Sequence, residues 1–242
     1  MKNILLLQFR KNSQIAKHEK KCILRYLDSK INLVSKNLFR ENVDFNNTSF
    51  SEISGIIIGG SGEFSFSKKK KRLDLLSKIE QITPFIKRSI KKNTPILGIC
   101  LGCQYLAYIL GAEVRADKFQ EEVGTFKVSL TKLGRSDRLF FKTPLEFFAH
   151  EGHKDSIDKL PKGTVLLAGG KKCKIQSFRL KNKNVYGVQF HPELNVKDMK
   201  FRQRHYQSYA PGNKKISIES SFLAKRILKN FFSLVREENN RK

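Results

Sequence analysis

Short apolar runs of strand length punctuate a strongly polar chain. They fall at residues 4–9, 55–58, 95–99, 124–130, 146–149, 165–168, 175–180 and 185–190. Several are continuous rather than alternating, the pattern of strands covered on both faces. Helix-period patterns lie between them at residues 13–27 (Ile15, Cys22, Ile23, Tyr26), 72–92 and 104–110. Pro84 is expected to kink or restart the second of these, and Gly111 suits a cap after the third. Strand followed by helix, repeated through the first half, predicts a parallel or mixed sheet wrapped by helices, with hairpins added by the strand-rich second half. Residues 195–215 are polar and basic and read as a loop or insertion. A last helix over 220–235 carries a core-facing stripe of Phe222, Leu223, Ile227, Leu228, Phe231 and Phe232.

Two of the strand ends carry chemistry. The first is Gly98-Ile99-Cys100-Leu101-Gly102-Cys103-Gln104, where a buried strand runs into a cysteine and a helix follows at once. Glycines at 98 and 102 remove side chains that would clash in so tight a turn. A thiol placed there stands at a helix N-terminus, whose dipole favours the thiolate. The N–H of Leu101 then points to where an oxyanion would form. The second is Val188-Gln189-Phe190-His191-Pro192-Glu193. Here His191 is the candidate base for Cys100, and Glu193 is placed to fix its tautomer, the order of roles in a catalytic triad. Both motifs sit at the C-terminal ends of strands, where open α/β sheets place their sites.

Together these motifs resemble the G-I-C-x-G-x-Q and V-Q-F-H-P-E signatures of class I glutamine amidotransferases, and the resemblance runs from about residue 4 to 232. Within that family the chain is similar to stand-alone relatives of the amidotransferase domain of GMP synthase. The resemblance implies a flavodoxin-like open, mostly parallel central sheet flanked by helices, with extra antiparallel strands. It also implies that Cys100 attacks the side-chain amide of glutamine and releases ammonia by way of a γ-glutamyl thioester, with Gln104 helping to hold substrate. Ile56-Ile57-Ile58-Gly59-Gly60-Ser61-Gly62 occupies the place of the family's oxyanion strand. Ser61 would supply the second oxyanion N–H and Gly60 would permit the turn, although many members carry Gly-Pro where this chain has Ser61-Gly62. Of His150 and His153, His153 in His153-Lys154-Asp155 better matches a family histidine near the substrate.

Composition narrows the setting. The 242 residues suffice for a full core and are read as a single amidotransferase domain, 1–242. Four cysteines at irregular spacing do not make a disulfide framework, which points to a reducing, cytoplasmic setting. The first apolar run is too short for a signal segment, and nothing reaches the length of a membrane span. Lys and Arg number 48 against 22 Asp and Glu, a net charge of +26. The charge is spread along the chain, Lys outnumbers Arg, and no nucleic-acid module is present, so a solvated basic surface is the expected reading rather than nucleic-acid binding.

Cys100 and Cys103 form a CxxC, but no second ligand pair completes a zinc site, so no metal or cofactor is expected. No ATP-binding motif is present either, which places any ammonia-accepting synthetase or transferase on a separate chain. Two other functions remain open at this stage: a hydrolase of other γ-glutamyl amides using the same three residues, and a non-catalytic domain kept for binding.

Overall fold

The computed structural model describes residues 2–45, 53–206 and 216–238. The chain runs β1 (Lys2–Gln8), α1 (Ser13–Leu24), β2 (Ile31–Asn37), β3 (Ile53–Ile58), α2 (Lys69–Lys91), β4 (Ile96–Ile99), α3 (Leu101–Ile109), β5 (Val114–Ala116), β6 (Glu122–Leu130) and α4 (Lys132–Ser136). It continues through β7 (Glu146–His153), β8 (Asp155–Ile157), β9 (Thr164–Gly170), β10 (Ser177–Leu180), β11 (Val185–Val188), α5 (Val196–His205) and α6 (Lys225–Glu238).

Nine strands form one sheet in the order β2-β1-β3-β4-β11-β10-β9-β6-β7. From β2 to β11 every neighbouring pair is parallel, and from β11 to β7 every pair is antiparallel. This is the expected open, mostly parallel sheet with an antiparallel extension. β5 and β8 make a separate two-stranded pair.

The continuous apolar runs are explained by two cores. In β1, Ile4 and Leu6 join one cluster while Leu5 and Leu7 join the other, and all four are fully buried. β3 and β4 divide the same way: Ile57, Leu97 and Ile99 face one side, Ile56, Ile58 and Ile96 the other. α6 covers the first side with Ile227, Leu228, Phe231, Phe232 and Val235. α2 covers the second with Leu75, Ile79, Ile82, Phe85 and Ile86. Each such side chain withdrawn from water stabilises the fold by about 1.5–3 kcal/mol.

Several elements differ from the sequence-based expectation. Residues 196–205, expected to be loop, form α5, and the reason is local: Asn195 and Asp198 make a reciprocal capping box. The remainder of that basic stretch, 207–215, lies outside the described residues. α2 runs on through Pro84 as one helix, with the Thr83 hydroxyl donating to the Ile79 carbonyl at 2.6 Å. The C-terminal helix begins at Lys225 rather than 220. β2 had no clear signal because its polar positions, Asn32, Ser35 and Lys36, lie on an edge strand. Among the described residues no helix is long and apolar enough to cross a membrane.

The strand order decides the location of the site. β3, β4 and β11 are adjacent and parallel, although β11 lies far from the other two in sequence. Their C-terminal ends therefore deliver Gly60, Cys100 and His191 to one edge of the sheet.

Candidate active site

Cys100 sits between β4 and α3 with φ of 51° and ψ of −104°, a conformation that an L-residue keeps only when its surroundings enforce it. Its N–H donates to the Val188 carbonyl at 2.8 Å, and its carbonyl accepts from Gln104 N at 3.0 Å. The elbow is as tight as the two glycines suggest. A Cβ on Gly98 would lie 2.4 Å from the Gly102 carbonyl oxygen, and one on Gly102 would lie 2.1 Å from that of Ile58. The cysteine is thus held at the first turn of α3, where Leu101 contributes one of the helix's unpaired N–H groups.

His191 is placed by a neighbouring strand. Its N–H donates to the His150 carbonyl at 2.8 Å, an isolated bridge to the middle of β7. Its Nδ1 is 2.8 Å from Glu193 Oε1, and both residues are at most 3% exposed. With Nδ1 committed, Nε2 has no hydrogen-bond partner among the described residues. Burial disfavours the imidazolium, but the Glu193 carboxylate and the Cys100 sulfur outweigh it and push the ring up to about 10. Burial works against the Glu193 carboxylate as well, and the His191 charge outweighs it, holding that carboxyl below its ordinary range. A catalytic hydrogen bond that tightens only when substrate binds is common in unliganded sites.

Gly60 closes the arrangement from the β3 side. A Cβ there would lie 2.9 Å from His191 Cε1 and 3.3 Å from Cys100 Cβ, so the turn abuts both side chains. Ser61 follows, 8% exposed, its hydroxyl accepting from Glu63 N at 3.1 Å.

Ser61 and Cys100 line one cleft together with Gln104 and His153, with Lys68, Lys71 and Lys154 also on its walls, while His191 and Glu193 lie behind Cys100 and outside that lining. Gln104 is buried, its amide donating to the Asp155 carbonyl at 2.8 Å and to Gln189 Oε1 at 3.2 Å. His153 lines the cleft but turns its Nδ1–H to the same Asp155 carbonyl at 3.0 Å. Its Nε2 lies 3.7 Å from Glu122 and 3.6 Å from Glu151. His150 does not line the cleft. It faces Thr125 Oγ1 at 3.1 Å, and burial together with the charge of His191 pushes its ring down to about 4.

Asp155, quoted in the sequence only as the neighbour of His153, has a role of its own. Its carboxylate accepts from the Ser65 hydroxyl, the Phe66 N–H and the Ser67 hydroxyl, each at 2.7 Å, and so pins the segment that forms one wall of the cleft. The His-x-Asp spacing was the available signal.

Cys103 points the other way. It is fully buried, and a Cβ on Gly187 would lie 2.7 Å from its sulfur, so it fills the space left by that glycine. Burial pushes its thiol well above the ordinary value. Two clusters hold metal-ligand side chains within 4.8 Å of one another: His18, Cys22 and Asp198; and Glu122, His153 and Cys173. The first is faced by the Arg25 and Arg202 guanidinium groups. In the second, Gln176 already donates to Glu122 at 2.7 Å and the Cys173 thiol donates to the Ile175 carbonyl.

The family model described as glutamine amidotransferase class-I matches residues 18–204. A protein of Methanocaldococcus jannaschii, named as a glutamine-hydrolyzing GMP synthase subunit, is 34% identical over 172 residues, which span 71% of this chain and 79% of the relative. A protein of the same name from Thermoplasma acidophilum is 40% identical over 102 residues, 42% of this chain and 49% of the relative. Among solved structures, a putative GMP synthase subunit from Thermoplasma acidophilum superposes with a TM-score of 0.72 at 24% identity, over 100% of this chain and 97% of that one. A glutamine amidotransferase from Thermotoga maritima gives 0.69 at 24% identity, over 99% and 96%. At these identities the structural likeness speaks to the fold.

Proposed function

Because the chain belongs to the class I glutamine amidotransferase family, we propose that it hydrolyses glutamine with Cys100 as nucleophile, His191 as proton carrier and Glu193 as orienter. The observation that carries this reading is the convergence of three strand ends. Cys100 stands on a strained elbow, His191 is tied to Glu193 at 2.8 Å, and Gly60 abuts both Cys100 and His191.

The chemistry follows from the positions. His191 takes the proton of the Cys100 thiol, and the Glu193 carboxylate that raises the ring favours the imidazolium so formed. Sulfur attacks the side-chain amide carbon of glutamine, and the carbonyl oxygen takes the negative charge. The N–H groups of Leu101 and Ser61 are the donors assigned to that oxygen, one from the start of α3 and one from the turn after β3. The imidazolium gives its proton to the departing nitrogen, the C–N bond breaks, and ammonia leaves a γ-glutamyl thioester. Water then loses a proton to His191 and attacks the thioester, releasing glutamate and restoring Cys100. Glu193 holds Nδ1–H throughout, which keeps Nε2 as the atom that exchanges protons. Gln104 and His153 flank the nucleophile on the cleft wall and are assigned to substrate, while Gly60 leaves room for the ring of His191.

The relatives named for GMP synthase support a separate synthetase chain that takes up the ammonia. The test is steady-state release of glutamate and ammonia from glutamine, compared with a panel of other γ-glutamyl amides and repeated with the cognate synthetase chain. Turnover of glutamine that rises when the synthetase is added supports the assignment. Turnover confined to other γ-glutamyl compounds overturns it.

A further inference from the structure

We propose that the buried pair Arg10–Glu19, with Tyr206, is a positioning unit for the turn at residues 59–62, and so sets the rate of acylation without touching substrate. The inference rests on the reading of that turn as the oxyanion element. Arg10 and Glu19 are each 1% exposed, and the guanidinium grips both carboxylate oxygens, at 2.6 Å to Oε1 and 3.3 Å to Oε2. Gln8, at the end of β1, also donates to Glu19 Oε2 at 2.8 Å. The carboxylate so fixed lies flush against the turn: a Cβ on Gly59 would fall 2.7 Å from Glu19 Oε1. The third Arg10 nitrogen, Nη1, donates to the Tyr206 hydroxyl at 2.8 Å. The Tyr206 ring covers Gly62, where an added Cβ would lie 3.0 Å from it.

The turn is therefore clamped between two groups of residues. Cys100 and His191 abut Gly60, and the Arg10–Glu19–Tyr206 unit abuts Gly59 and Gly62 on either side of it in sequence. Gly59 is the last residue anchored to the sheet, its N–H donating to the Leu7 carbonyl at 2.9 Å. Beyond it the placement of the one oxyanion donor assigned to this turn, the Ser61 N–H, depends on side-chain contacts. A buried ion pair is weak evidence for stability, because apolar residues of equal volume often do as well. What it supplies here is a rigid, directional fit. A donor displaced by about 1 Å can cost on the order of 100-fold in rate.

Two reactions of Cys100 separate this role from a structural one. Acylation by glutamine develops an oxyanion. Alkylation by iodoacetamide forms a C–S bond and expels iodide at a methylene carbon, with no oxyanion. In Glu19→Gln and Gly59→Ala, kcat for glutamine hydrolysis is expected to fall about 10- to 100-fold while KM and the alkylation rate stay within about 3-fold. Tyr206→Phe, which keeps the ring over Gly62, is expected to lose less than Tyr206→Leu. If Glu19→Gln does not fold, Gly59→Ala and the Tyr206 pair carry the same comparison. Undiminished kcat in folded Glu19→Gln, or alkylation falling in step with kcat, overturns the inference. A wild-type protein without glutamine turnover would sink the active-site reading first, and this one with it.

Discussion

His191 Nδ1 lies 2.8 Å from Glu193 Oε1, at the end of a strand that hydrogen-bonds directly to the strand carrying Cys100. The pair is made by residues two apart, so the turn at Pro192 brings the carboxylate back to the ring that precedes it. The contact commits Nδ1 and leaves Nε2 without a partner among the described residues. Glu193→Gln keeps the shape but removes the charge that favours the imidazolium. It is expected to lower kcat by about 10³- to 10⁴-fold with the fold intact, as measured by glutamate release and circular dichroism. Loss of less than about 10-fold would mean that Glu193 does not orient the ring.

The same contact makes stability depend on pH. The His191 ring is raised from an ordinary value of 6.5 to about 10. Its contribution is therefore fully present below about 6.5 and is lost as pH rises through about 10. Glu193 is lowered, so its contribution is present above its ordinary value of 4.5 and is lost as pH falls through the folded-state value. Urea unfolding of the wild type and His191→Asn should differ most between about pH 5 and 6.5 and converge toward pH 10. A gap that stays constant to pH 10 would contradict an imidazolium in the resting protein.

Cys100 and Cys103 share one helix start and face opposite ways, so they give opposite expectations. Cys100→Ser should reduce glutamine hydrolysis by at least about 10³-fold and abolish covalent labelling by a glutamine-like electrophile. Cys103→Ala removes a small buried group and should cost about 1–2 kcal/mol of stability while activity stays within about 10-fold. Mass spectrometry of the labelled protein identifies the modified residue, and label on Cys103 would reverse the assignment.

Gly60→Ala places a methyl group 2.9 Å from His191 Cε1. The ring cannot retreat without breaking its contact with Glu193. We expect a loss of about 100-fold or more in kcat with only a modest change in melting temperature. The shift of the His191 ring resonances in NMR spectra should report the displacement. Near-normal turnover would show that the turn has slack at this point.

Much of this protein was determined by its sequence alone. The continuous apolar runs required strands buried on both faces, and the residues around Cys100 and His191 specified a tight elbow and a histidine paired with the next carboxylate. Such features are local: they depend on neighbours a few residues away, which the order of amino acids states directly. Even α5 was written in Asn195 and Asp198, although the basic composition of the stretch obscured it. Tertiary structure decided what local order cannot. Only the parallel alignment of β3, β4 and β11 brings Gly60, Cys100 and His191 together, because the pairing of distant strands is chosen by how two cores pack, not by any one segment. Likewise, only packing turned Cys103 inward against Gly187 and pressed the Arg10–Glu19 pair beneath Gly59. Nothing in the residues flanking a glycine says which distant side chain will occupy the space it leaves.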